Sequence, residues 1–234
     1  MEYTTLNKIK HRFTINFHGL GEPHSNVMQD ESRFWCDERE FERFLDAIID
    51  FQSKPQRETE IRITFDDGNK SDLRIGVPAL VERGLDATFF VCSDRLRNPI
   101  YLSPTDLAEM ESRGMMIGCH GATHVPLRGL DNQRLKAETT NARAKLSDML
   151  GHGVSSFAIP FGSYDRRVMN ALKDFDEVHT SDFQASRPGS RIVTRHSYIC
   201  GWSVEDFRKT VANLPTGPKA WLGKTKLLVK RFRP

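Results

Sequence analysis

Seven short runs rich in β-branched and aromatic residues recur along the chain, and nearly every gap between them carries a helical pattern. This alternation restricts the available folds more than any other feature. The runs are FTINFH (13–18), EIRITF (60–65), DATFFVC (86–92), MMIGCH (115–120), SSFAIP (155–160), EVHTSD (177–182) and RIVTRHSYI (191–199). In the first gap, Phe41, Phe44, Leu45, Ile48 and Ile49 fall at helical spacing over 37–51. Asp37 stands as the cap there, and Glu40 completes a capping box. Residues 74–84 read as a helix with Pro78 in its first turn and Gly84 as its stop. In 103–114, Ser103 is the cap, Pro104 opens the helix and Gly114 ends it. A long amphipathic helix over 131–151 and shorter ones over 165–175 and 203–214 complete the set. Strand–helix alternation over 234 residues predicts one α/β domain with a parallel sheet. A count of seven or eight strands favours a (β/α) barrel over an open sheet. The one linker-like piece, PTGP (215–218), sets the expected boundary between a domain over 1–214 and a tail over 215–234.

Composition narrows the class. With 38% hydrophobic and 28% charged residues, the chain has the makings of a packed core. It contains no apolar run of about 18 residues that would span a membrane. The opening MEYTTLNKIKHRF lacks the apolar stretch of a secretory signal, so a cytoplasmic location is the expectation. Cys36, Cys92, Cys119 and Cys200 form no C-x-x-C pair, which excludes a zinc ribbon or thioredoxin motif and points to reduced thiols, two or three of them in the core. The net charge of +3 hides an asymmetry. Six cations and no acid occupy the last sixteen residues, so the body is mildly acidic, which argues against a nucleic-acid partner. The tail also holds Trp221, Leu222, Leu227, Leu228, Val229 and Phe232. It reads either as a barrel-capping helix with a solvated basic end or as a peripheral contact with an anionic membrane surface.

A parallel α/β fold places its site at the C-terminal ends of the strands. His18, the pair Asp66–Asp67, the spaced pair His120 and His124, the stretch Pro160–Phe161–Gly162, and Asp182 all fall there. Adjacent carboxylates repel and raise each other's pKa, so a strand that ends on two of them needs a reason. As a plain turn, Asp-Asp-Gly would supply one through capping. A cation supplies another. Two neutral imidazoles and one carboxylate make a three-ligand zinc site with an open position, and the second carboxylate would then act as base.

TFDDG (64–68), HGATH (120–124) and FAIPFG (157–162) resemble, in order and spacing, the first three motifs of the polysaccharide deacetylases, the NodB-homology group of carbohydrate esterase family four. The resemblance extends over roughly residues 11–200. It implies a deformed barrel of seven strands, with Asp66 as general base and Asp67, His120 and His124 as ligands of a divalent metal, zinc foremost. It further implies that Pro160, Phe161 and Gly162 line the groove, with the Phe161 N–H helping to hold the oxyanion. The implied reaction is hydrolysis of an N-acetyl group on a saccharide or glycoconjugate.

The match departs from the family pattern at three places. The position of the arginine that commonly pairs with the base is Ala158, and Arg187 or Arg195 is left to supply that charge from another strand. Asp182 stands at the fourth motif without a tryptophan at the family spacing, which leaves Phe161 or Phe183 to shape the acetyl pocket. In the last motif, IVTRHSY offers His196 as general acid, but strand alternation lets only one of Arg195 and His196 face the site. His18 is the rival acid. His11, His24, His152 and His179 read as structural or surface residues. Two other functions remain open on this reading: a metal-free hydrolase of other C–N bonds on the same fold, and a non-catalytic sugar-binding protein. Retention of both aspartates weighs against the second.

Overall fold

Side chains along β1 (His11–Phe17) alternate between two environments. Phe13, Ile15 and Phe17 are buried outward; Phe17 packs edge-on against Phe41 and Phe44 of α1 (Glu38–Gln52). The other parity puts Thr14 and Asn16 inside. The same division holds along β4 (Thr59–Phe65), where Phe65 meets Phe41 and Thr64 bonds to Asn16. This parity suits a small barrel whose outer face packs on helices.

The computed structural model describes residues 9–24, 27, 31–55 and 57–214; the basic segment 215–234, with its expected helix or membrane contact, lies outside the described residues. Seven parallel strands close in the order β1, β4, β5 (Thr88–Val91), β6 (Met116–Cys119), β7 (Ser156–Ala158), β8 (Glu177–Thr180) and β9 (Ile192–Ser197). Pairing of Thr14 with Arg195 and of Asn16 with Ser197 joins the last strand to the first. The expected deformed barrel is thus the observed one. Its register is uneven: β1 and β4 pair over seven residues, whereas β6 and β7 meet only at Cys119 and Phe157. The helices α1, α2 (Val77–Glu82), α3 (Pro104–Ser112), α4 (Asn132–Lys136), α5 (Ala142–Leu150), α6 (Arg166–Ala171) and α7 (Val204–Ala212) pack outside.

Phe90 fills the interior, with its ring centroid 4.7 Å from that of His179 and 5.4 Å from the Arg195 guanidinium carbon. Arg12 closes the lower end by bonding Glu60 at 3.0 Å and Glu177 at 2.7 Å. At the upper end two short strands absent from the sequence reading, β2 (Gly19–Leu20) and β3 (Trp35–Cys36), pair in parallel and hold Phe34 and Trp35 over the mouth.

Helix starts follow the expected chemistry, with one correction. Asp37 caps α1 by accepting from the N–H groups of Arg39 and Glu40. Glu40 does not complete a box; its carboxylate accepts from Arg43 at 3.1 Å instead. Reciprocal boxes stand at Ser103 with Asp106 and at Ser203 with Asp206. Two helices expected to be regular contain π turns, Asp72–Gly76 before α2 and Ala137–Asn141 between α4 and α5. Cys36, Cys92 and Cys119 are buried, Cys200 is exposed, and all four are free. No helix among the described residues is long and apolar enough to cross a membrane.

Candidate active site

The two adjacent carboxylates part company at the end of β4. Asp66 continues the strand, its N–H bonding the Phe17 carbonyl at 2.9 Å, and its side chain enters the barrel. Asp67 then takes a left-handed conformation, φ 76°, which turns its side chain elsewhere. Among the described residues, only Asp67, His124 (φ 61°) and Phe161 (φ 57°) have positive φ without being glycine. Each such conformation costs on the order of 1–3 kcal/mol, and all three border one cavity of about 390 Å³ at the mouth of the barrel.

Asp66 is buried against Arg195 in a two-point pair, Nη1 to Oδ1 at 2.7 Å and Nη2 to Oδ2 at 2.8 Å. Asn16 Nδ2 adds a third donor at 3.1 Å and also ties Arg195 through its own Oδ1. Burial alone would raise the Asp66 pKa; the Arg195 charge, helped by His120 and His18, overrides it and holds the carboxyl well below the usual range. Arg195 comes from β9, not from the strand on which the family's arginine commonly stands.

His120 donates from Nδ1 to the Ala158 carbonyl at 2.9 Å. A carbonyl can only accept, so the proton is on Nδ1 and the Nε2 lone pair is free to face Asp66 at 3.8 Å and Asp67 at 3.7 Å. His124 Nε2 stands 3.0 Å from Asp67 Oδ1. Burial pushes the His120 pKa down to about 4; burial and the Arg95 charge push that of His124 down to about 3. Both rings are therefore neutral near pH 7. Asp67 Oδ1 is buried and has no hydrogen-bond partner. The candidate ligand atoms of Asp67, His120 and His124 lie within 4.8 Å of one another. Two imidazole nitrogens and a carboxylate oxygen that converge in this way fit a divalent cation, and an N, N, O set suits zinc among others.

Sequence comparison adds the family. A profile described as polysaccharide deacetylase matches residues 53–177, more than half of the chain. The chain belongs to the polysaccharide deacetylase family. A Bacillus subtilis protein assigned as polysaccharide deacetylase YxkH is 27% identical over 122 residues, 52% of this chain and 44% of that one. Chitin deacetylase 1 of Cryptococcus neoformans var. grubii is 29% identical over 107 residues, 45% of this chain and 22% of that one. The chain thus spans less than half the length of either relative. Among solved structures, the polysaccharide deacetylase BC0361 of Bacillus cereus superposes with a TM-score of 0.74 at 20% identity, covering 86% of this chain and 69% of that one. The deacetylase PplD of Streptococcus pyogenes gives 0.75 at 16% identity, covering 86% and 98%. At such identities the likeness is one of fold.

Within this deacetylase-family barrel the residues singled out from the sequence divide into two groups. His18, Asp66, Asp67, His120, His124 and Phe161 border the cavity. His18 Nε2 lies 4.0 Å from Asp66 Oδ2, and the Phe161 ring packs on His124 with centroids 4.5 Å apart. Pro160 and Gly162 are buried beside Phe161 and shape its turn without lining the cavity. Asp182 accepts from the Tyr164 hydroxyl at 2.7 Å and is likewise off the cavity wall. His196 is turned away from it. Because Arg195 takes the inward position, His196 points outward into Phe13, Phe183 and Trp202, where burial lowers its pKa to about 4.

Other cavity residues escaped the sequence reading. His24, read as structural, lines the cavity and bonds Asn69 at 3.3 Å; His179, also read so, lies inside the barrel on Glu177. Arg95 lies 3.5 Å from Asp67 and stacks on Tyr101. Asn16 was legible in principle, since it shares the parity of His18 two residues on. Arg95 and Tyr101 sit in an irregular segment with no periodic signal.

Proposed function

We propose that the chain is a metal-dependent hydrolase that removes N-acetyl groups from a saccharide or glycoconjugate. The convergence of Asp67, His120 and His124 beside the Arg195-paired Asp66 carries this reading. Family membership supports it. Asp67 Oδ1 and the two Nε2 atoms would hold the cation, whose Lewis acidity would activate water and polarise the acetyl carbonyl.

The protein's own groups divide the remaining work. Asp66, kept ionised by Arg195 and oriented by Asn16, accepts the proton of the attacking water. His18, the candidate acid at the cavity, returns a proton to the leaving amine; His196 faces the wrong side for that task. The Phe161 ring, on a backbone turned to positive φ, covers His124 and narrows the acetyl end of the cavity. Its backbone N–H is the proposed donor to the oxyanion. The reaction breaks the amide C–N bond and yields acetate and the free amino sugar.

The test couples metal content to acetate release from N-acetylated oligosaccharides. About one metal per wild-type chain, and none in the His120→Ala, His124→Ala double variant, is expected. Asp66→Asn should keep the metal and lose turnover by about 10²-fold or more. No metal in the wild type after incubation with zinc would shift the reading to a metal-free C–N hydrolase or a sugar-binding protein. Undiminished turnover in Asp66→Asn would overturn the base assignment.

A further inference from the structure

Between His120 and His124 the chain makes a turn that the turn itself does not hold. Gly121 has φ 85° and His124 φ 61°; on one side the Gly121 and Ala122 carbonyls accept from the N–H groups of Ser93 at 3.1 Å and Asp94 at 3.0 Å. The backbone N–H groups of Ala122 and Thr123 point away from the cavity and find one acceptor, the Glu138 carboxylate. Its Oε2 accepts from Ala122 N at 2.8 Å and from Thr123 N at 3.0 Å, and its Oε1 accepts from the Thr123 hydroxyl. Glu138 is 6% exposed.

The helix that carries Glu138 is modified where it does so. Glu138 lies in the π turn Ala137–Asn141, where the Ala142 N–H reaches back five residues to the Ala137 carbonyl. A π turn widens the helix by one residue and commonly marks a functional position. The fit is close on the other side as well. A Cβ at Gly121 would lie 3.0 Å from Glu138 Oε2, a tight contact that would press on the carboxylate, and the φ itself favours glycine. Glu138 does not line the cavity; what it bonds is the turn between the two histidines.

We propose that Glu138 is a positioning residue: its carboxylate sets the spacing and aim of the His120 and His124 imidazoles, and through them the cation affinity of the site. The inference rests on the metal-site reading above. Groups that orient ligands from outside typically change metal affinity about 10–100-fold when removed.

The decisive comparison is between two changes of opposite kind. Glu138→Gln keeps the length and can still make all three bonds, accepting both N–H groups on its oxygen and donating to the Thr123 hydroxyl. Glu138→Asp keeps the charge but is one methylene too short. Zinc affinity by chelator competition is expected near wild type for Glu138→Gln and about 10-fold or more weaker for Glu138→Asp. Glu138→Asp at wild-type affinity, or Glu138→Gln as weak as Glu138→Asp, would overturn the proposal. The His120 and His124 ring proton shifts of the metal-free protein provide the second readout. They should move in Glu138→Asp and stay in Glu138→Gln, with His179 as an unaffected internal reference. If wild type binds no zinc, the metal reading fails while these shifts still decide whether Glu138 holds the turn; unmoved rings in Glu138→Asp would end the positioning role too.

Discussion

At the residue scale, two buried carboxylates, Asp66 and Asp72, stand in opposite electrostatic settings. Asp66 and Arg195 are both nearly inaccessible, and a two-point pair joins them at the floor of the cavity. Removing one member of such a pair strands the other and costs about 3–5 kcal/mol. Arg195→Met should therefore destabilise by that amount in urea denaturation, and adding Asp66→Asn should recover most of it. Wild-type stability in Arg195→Met alone would mean the pair is not formed in solution. The depressed Asp66 pKa adds stability that is present above the ordinary value of 3.8 and is lost as pH falls through the folded value. Asp72 behaves oppositely. It is fully buried, and burial with the nearby Asp67 charge drives its pKa well above 3.8 against the opposing pull of the Asn69 backbone and the Ser71 side chain. The folded state thus prefers the neutral acid, and its stability declines as pH rises above about 4 towards the folded value. Asp72→Asn mimics that neutral acid. It should be more stable than wild type at pH 8, with the gap closing at pH 4; a gap independent of pH would remove the titration from the account. Asp66 and His120 were legible because each follows an apolar strand directly, and Asp67 and His124 because of their spacing from those two. Arg195 could be named only as one of two candidates, since the choice depends on which face of β9 turns inward, and that is fixed by aromatic packing around His196 rather than by the strand's own composition.

At the scale of elements, the seven strands and their helices could be read from period and punctuation because a parallel barrel buries its strands and amphipathic helices expose one face. The π turns could not be so read. Each lies in a stretch whose apolar spacing still looks helical, and each marks a buried acid, Asp72 or Glu138, that a regular turn would have aimed elsewhere. The β2–β3 pair was equally hidden, since two-residue strands carry no period. Packing inside the barrel provides a sharper test of the element arrangement. Gly118 of β6 is the register partner of Phe90 on the neighbouring β5, and a Cβ there would fall 2.4 Å from Phe90 Cδ1. The ring is enclosed by Arg195 and His179 and has little room to retreat. Gly118→Ala should cost about 1–3 kcal/mol by overpacking, and Phe90→Leu in the same chain should relieve part of it. Thermal denaturation of the single and double variants reads this; an innocuous Gly118→Ala would place Phe90 outside the barrel.

On the scale of the whole molecule, the seams between strands are uneven in length around the site. The β1–β4 seam runs for seven pairs, and Arg12 with Glu60 and Glu177 closes the lower end. Around β6 the ladder thins to a single pair with β7, and the His120–Ala158 bond takes over part of its role. The three candidate ligands come from the ends of β4 and β6, which are not neighbours; β5 lies between them. A cation held by all three would tie these strand ends together across β5, as no backbone hydrogen bond can. The unfolded chain has no such site, so binding must appear as stability. At a free zinc concentration 100 times Kd the gain is about 2.7 kcal/mol. For a chain of this size that corresponds to a rise in Tm of about 5–10 °C. Zinc should produce that rise in the wild type, a chelator should reverse it, and the His120→Ala, His124→Ala variant should show neither effect. A Tm that does not respond to zinc in the wild type would mean that the ends of β4 and β6 are held by the protein's own contacts alone, and the convergence of Asp67, His120 and His124 would then need an explanation other than a cation.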